Sequence, residues 1–125
     1  MDSKLFAAEQ KAKERWSEET IPNGEWIIVR VDGRGVSRLT GAWYDKPFDK
    51  LFHNGMRQAA IALANEIGGA YVTYSQSDEI SAVLHPNTLM FGRRPEKLAS
   101  IAAGIASAEF SLCHGSRAVF DGRCL

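Results

Sequence analysis

A chain of 125 residues with 45% hydrophobic and 24% charged residues has the size and composition of one small soluble domain, able to bury roughly two-thirds of its unfolded surface without staples. Fifteen basic and fifteen acidic residues give a formal net charge of zero. That excludes a broad basic surface for gripping a long nucleic acid, so any such contact must come from a local patch, an oligomer or a missing part. No stretch approaches a transmembrane span, and Met1-Asp2-Ser3-Lys4 lacks the order of a signal peptide. Cys113 and Cys124 are too few for a disulfide framework; the expectation is a reduced, cytoplasmic protein without membrane contact.

In chain order, residues 3–17 set Leu5, Phe6, Ala8, Ala12 and Trp16 among charges behind Ser3, which predicts a short amphipathic helix. Thr20-Ile21-Pro22-Asn23-Gly24 is a turn, and Glu25 to Val31 a first strand. Gly33 to Tyr44 reads as a loop, after which Asp45-Lys46-Pro47 opens a helix. Its stripe is Phe48, Leu51, Phe52, Met56, Ala59, Leu63 and Ile67, and Gly68-Gly69 ends it. Ala70 to Tyr74 and Ile80 to Leu84 are strands joined by a hairpin at Gln76 to Glu79. A last helix runs from about Pro95 with Leu98, Ile101, Ile105, Ala108 and Leu112 on one face, and stops at His114-Gly115. Ala118-Val119-Phe120 begins a fourth strand. The order is a helix followed by β-α-β-β-α-β, an α+β ferredoxin-like arrangement: both crossover helices on one face of an antiparallel sheet, the other face left for substrate.

Two acidic signatures carry the chemistry. Asp32-Gly33 follows the first strand and Ser77-Asp78-Glu79 joins the next two. Each alone is an ordinary turn, since glycine accepts positive φ. Together, at one sheet edge, the two carboxylates suit divalent cations that clamp the oxygens of a phosphoryl transfer, and Mg²⁺ is the natural ion. The Gly33 carbonyl is a candidate third ligand; Glu79 is a ligand, an orienter or a solvated charge. Arg93, Arg94 and Lys97 cluster at a helix start, where cations are disfavoured unless an anion binds. The alternative is a solvated basic turn softened by Glu96. Trp26, Trp43 and Tyr44 read as core or loop anchors, and His53, His85 and His114 share no metal-ligand spacing.

Five motifs stand in register: Val31-Asp32-Gly33-Arg34, Lys46-Pro47-x-Asp49, Tyr74 to Ser81, Phe91-Gly92-Arg93-Arg94-x-x-Lys97 and Phe120-Asp121-Gly122-Arg123. From Glu25 to Arg123 the chain resembles the tRNA-histidine guanylyltransferase family and its relatives, the 3′-to-5′ tRNA polymerases. The resemblance implies a single palm-type catalytic domain over residues 1–125 and two Mg²⁺ ions on Asp32, Asp78 and the Gly33 carbonyl, with Asp32, Asp78 and Glu79 as catalytic positions. It implies nucleotide contacts along Asp32, Gly33, Arg34, Gly35, Val36 and Ser37, against Ser77 and Asp78, and from Lys46, Asp49, Arg94 and Lys97. Val36 and Ala82 depart from the family's larger residues. The implied reaction uses ATP and GTP to add a nucleotide to a tRNA 5′ end, in a homodimer or homotetramer. Family members also carry roughly as much sequence again, with a His- and Asn-containing motif. A palm-type nucleotide cyclase and a nucleotide-binding module without turnover are the alternatives.

Overall fold

The computed structural model describes residues 3–15, 18–34, 50–67 and 70–125. After α1 (Ser3–Ala12) come β1 (Ile27–Arg34), α2 (Lys50–Glu66), β2 (Ala70–Gln76), β3 (Glu79–Leu84), a tight turn over Met90–Arg93, α3 (Pro95–His114) and β4 (Val119–Cys124). The sheet order is β2-β3-β1-β4, antiparallel throughout. This is the split β-α-β arrangement expected from the sequence.

Alternation along β1 decides the layers. Ile27, Val29 and Val31 are buried, and Ile28, Arg30 and Asp32 lie on the opposite, open face. The buried row meets Ile80, Ala82 and Leu84 of β3, Met56, Ala59 and Leu63 of α2, and Leu98, Ala102, Ala106 and Phe110 of α3. Two stripes differ from expectation. On α2, Leu51 is 49% exposed while Gly55 joins the buried face. On α3, Leu112 is 80% exposed, and the buried line is Leu98, Ala102, Ala106 and Phe110. The reason is thickness: alanines let α3 approach the sheet closely, while Phe110 fills the wider gap toward Phe52 and Phe120. Gly55 is what α2 needs beside that ring, because a Cβ there would lie 2.8 Å from it.

Helix α1 is shorter than the sequence predicts, and none of its residues is buried. Both outer ends of the charged motifs are also longer strands than expected. Asp32-Gly33-Arg34 continues β1, and Asp121-Gly122-Arg123 lies within β4, because Asp32 pairs with Asp121, Gly33 with Phe120 and Arg34 with Val119. The Asp32-Gly33 turn reading is thereby excluded.

Gly122 makes this pairing possible. A Cβ there would stand 2.5 Å from the Ala99 carbonyl oxygen and 3.3 Å from the Ala103 methyl. The obstacle is helix backbone, which cannot rotate away. We expect Gly122→Ala to cost about 2–3 kcal/mol and to loosen β4 on α3, read by chemical denaturation. A cost below about 0.5 kcal/mol, the scale of an ordinary surface change, would mean that α3 rides freely over the strand.

Candidate functional site

One end of the open face gathers Asp32, Asp78, Glu79 and Asp121. Asp32 sits in register between Glu79 on β3 and Asp121 on β4. The Gly33 N–H donates to the Asp78 carbonyl at 3.0 Å, which ties the end of β1 to the β2–β3 hairpin. In an antiparallel strand the N–H and C=O of one residue point the same way, so the Gly33 carbonyl is also directed toward that hairpin. Ser77 adopts φ 55 in the two-residue loop, and Asp78 follows it half-buried. Asp32, Gly33, Ser77, Asp78 and Glu79 are thus brought together, with Arg34 at the exposed end of β1.

The next row of the ladder is basic. Arg30 lies opposite Ser81 and opposite Arg123. Its Nε donates to Ser81 Oγ at 3.0 Å and stands 3.6 Å from Glu79 Oε1. Both terminal nitrogens of Arg123 donate to Asp32 Oδ2 at 3.3 Å, and Nη1 stands 3.6 Å from Asp121 Oδ1. Glu79 therefore has Arg30 as a partly exposed ion-pair neighbour. The two rows set three carboxylates against two guanidiniums, with Asp78 adding a fourth acid at the hairpin. A hydrogen bond from Asp121 pulls the Asp32 carboxyl below the usual range, helped by Arg123 and Arg30 and opposed by partial burial. The same bond raises Asp121, and burial and the Asp32 charge act in the same direction.

The donor set of Asp32, Asp78 and the Gly33 carbonyl is all oxygen. Among the described residues no group of three or more His, Cys, Asp or Glu side chains is gathered to hold a metal ion. Oxygen ligands of this kind would suit a hard ion that keeps waters and substrate phosphates in the rest of its shell.

The basic cluster divides. Arg93 is 2% exposed, and its guanidinium donates to five backbone carbonyls: Ile21, Pro22, Glu25, Pro86 and Thr88. It is a structural staple, and the expectation that it contacts an anion is corrected. Arg94 and Lys97 remain beside a groove of about 270 Å³ at the start of α3, shared with Glu14, Glu96 and Ser100. Arg94 Nε donates to the Phe91 carbonyl at 3.2 Å. The start of α3 lies over β4: the Pro95 carbonyl accepts from Cys124 Sγ at 3.5 Å, and the Ala99 carbonyl abuts Gly122, the partner of Val31. Gly35, Val36, Ser37, Lys46 and Asp49, with Trp43, Tyr44 and Phe48, lie outside the described residues. Trp26 is 51% exposed, with its ring edge against His85.

Sequence reasoning gave no role to Asp121 and Arg123. The signal was present: Val119, Asp121 and Arg123 alternate with Phe120, Gly122 and Cys124, so one strand carries both charges on one face.

Among the described residues no helix is long and apolar enough to cross a membrane. Residues 8–125 match the Thg1 family, described as tRNAHis guanylyltransferase. A tRNA(His) guanylyltransferase of Neurospora crassa is 35% identical over 91 residues, 72% of this chain and 31% of that protein. A probable tRNA(His) guanylyltransferase of Drosophila melanogaster is 33% identical over 91 residues, 72% of this chain and 32% of that protein. The chain thus spans about a third of the length of these curated relatives. Solved structures of a bacterial Thg1-like protein, described as complexes with GTP and with ATP, align with TM-scores of 0.86 and 0.86 at 29% identity. They cover 97% and 96% of this chain and 62% and 57% of those chains. The Saccharomyces cerevisiae enzyme, at 22% identity and a TM-score of 0.82, shares the fold. The chain belongs to the tRNAHis guanylyltransferase family.

Proposed function

We propose that residues 1–125 form the catalytic palm of a Mg²⁺-dependent nucleotidyltransferase. It adds a nucleotide, typically guanylate, to the 5′ end of a tRNA in the 3′-to-5′ direction, in the cytoplasm. The observation that carries this reading is the junction of Asp32 with the Asp78 hairpin through Gly33, on the sheet face that no described helix covers. Asp32, Asp78 and the Gly33 carbonyl would hold two Mg²⁺ ions. When bound, the ions supply a lowered pKa at the attacking 3′-hydroxyl and positive charge at the departing pyrophosphate. Asp32 is kept ionised by its neighbours, ready to ligate at neutral pH. Glu79, with Arg30 3.6 Å away, borders the site and orients what enters it. The incoming nucleotide lies along Asp32 to Ser37 and against Ser77-Asp78, with Lys46 and Asp49 completing its contacts.

Arg94 and Lys97 neutralise the triphosphate, and the protein works as a homodimer or homotetramer. ATP activates the RNA 5′-phosphate where no triphosphate is present.

The test gives purified protein Mg²⁺, ATP, GTP and a 5′-labelled tRNA lacking its first nucleotide. A product one nucleotide longer, formed only with RNA, is the expected result. A cyclic nucleotide formed without RNA would replace this reading with a cyclase. Mg²⁺-dependent nucleotide binding without any product would reduce the chain to a binding module.

A further inference from the structure

We propose that Arg123 is the resident countercation of Asp32, a positioning residue that passes to Asp121 when a divalent ion takes the Asp32 carboxylate. This rests on the metal reading above and adds a residue to it.

The geometry of the contact is that of a placeholder. Both guanidinium bonds go to one oxygen, Asp32 Oδ2, and both are 3.3 Å long, against about 2.7–2.9 Å for a well-made charged hydrogen bond. A fork spent on a single oxygen is not the bidentate pairing that arginine makes when it is built to hold. The side chains are 47% and 30% exposed, so the pair contributes little to the fold.

A second partner is already in place. Arg123 Nη1 stands 3.6 Å from Asp121 Oδ1 on its own strand. Arg123 can therefore leave Asp32 by a side-chain rotation while its charge stays paired. The backbone has no such freedom, because Gly122 is pressed against the Ala99 carbonyl.

The neighbouring arginine shows the contrast. Arg30, directly opposite Arg123, is bound to Ser81 and faces Glu79. Two like charges opposite each other on a sheet repel. Arg30 has its own partners on β3, and only Arg123 is shared between two carboxylates, one of them a proposed metal ligand. A divalent ion must displace that guanidinium, so apparent ion affinity includes the cost of moving it. Asp121 lowers this cost by receiving it.

The experiment titrates Mn²⁺ alone into the whole chain and follows free ion by electron paramagnetic resonance. The proteins are wild type, Asp32→Ala, Arg123→Gln, Arg123→Lys and Asp121→Asn, each with a circular-dichroism melt. Arg123→Gln should bind Mn²⁺ roughly fivefold more tightly, the scale of removing one nearby charge at an exposed site. Arg123→Lys should return close to wild type, and Asp121→Asn should bind more weakly. A purely structural arginine would move the melt and leave the Mn²⁺ affinity alone. Equal or weaker binding by Arg123→Gln overturns the inference. Should that variant melt early, Asp121→Asn carries the test, and unchanged affinity there overturns it. If Asp32→Ala titrates like wild type, the metal reading at Asp32 has failed, and this inference with it.

Discussion

Replacing Arg93 by methionine should cost about 3–5 kcal/mol of stability, the range for stripping the partner from a buried charged network. That is a large share of the roughly 5–15 kcal/mol that holds a domain folded. All five N–H bonds of this side chain end on carbonyls, at 2.7 to 3.0 Å. Three belong to the turn before β1, at Ile21, Pro22 and Glu25. Two belong to the turn after β3, at Pro86 and Thr88. One buried group therefore pins the start of one central strand to the end of its neighbour. The backbone adds to the clamp, since the Ile21 N–H donates to the Arg93 carbonyl at 2.8 Å. Without the guanidinium those carbonyls lose their donors together.

The same residue holds strain. Phe91, Gly92 and Arg93 have φ of 50°, 61° and 58°, three left-handed residues in succession. For the two with side chains this conformation costs roughly 1–2 kcal/mol each. The five bonds offset that cost and fix where Arg94 and α3 begin. Arg93→Lys should recover only part of the loss, because an ammonium has three donors and no planar fork. Urea denaturation measures both variants. A loss below about 1 kcal/mol in Arg93→Met would show that water satisfies the carbonyls and that the turn holds itself.

What could be read in the sequence and what could not divides along physical lines. The βαββαβ order was legible because each element carries its own period, and Gly115 at φ 87 caps α3 where a His-Gly stop was expected. The Asp32–Asp78 junction was legible because topology alone puts the end of β1 beside the β2–β3 turn. The depth of a basic residue was not. Arg93 and Arg94 are neighbours of the same type, and nothing local says that the first turns inward. That depends on carbonyls contributed from the segments before β1 and after β3, which meet only in the fold. The buried face of α3 was misjudged for a related reason. Isoleucines advertise a core by hydropathy, but close approach to the sheet favoured the alanines. Gly122 is a third case: its requirement is set by the Ala99 carbonyl of another element.

Asp78→Ala should separate chemistry from folding. The contribution of Asp78 to the fold, as far as its bonds show, is made by its backbone: its carbonyl accepts the Gly33 N–H. Alanine retains that group, so the change in stability should stay within about 1 kcal/mol, as for other surface substitutions. The carboxylate is the part that is lost. If it ligates the ions, nucleotide addition should fall by roughly a thousandfold or more. Even an outer partner of a metal ligand typically costs 10–100-fold, and a ligand must cost more. The loss should appear together with loss of Mg²⁺-dependent nucleotide binding. It should not be rescued by Asp78→Asn, which keeps the shape but not the charge, because a hard cation at this site needs anionic oxygen. Gly122→Ala offers the comparison, since it should lower activity and stability together. An Asp78→Ala protein that melts like wild type and still extends tRNA at a tenth of the rate would move the catalytic carboxylate elsewhere. Glu79 would then be the first candidate, since it lies opposite Asp32 on the adjoining strand.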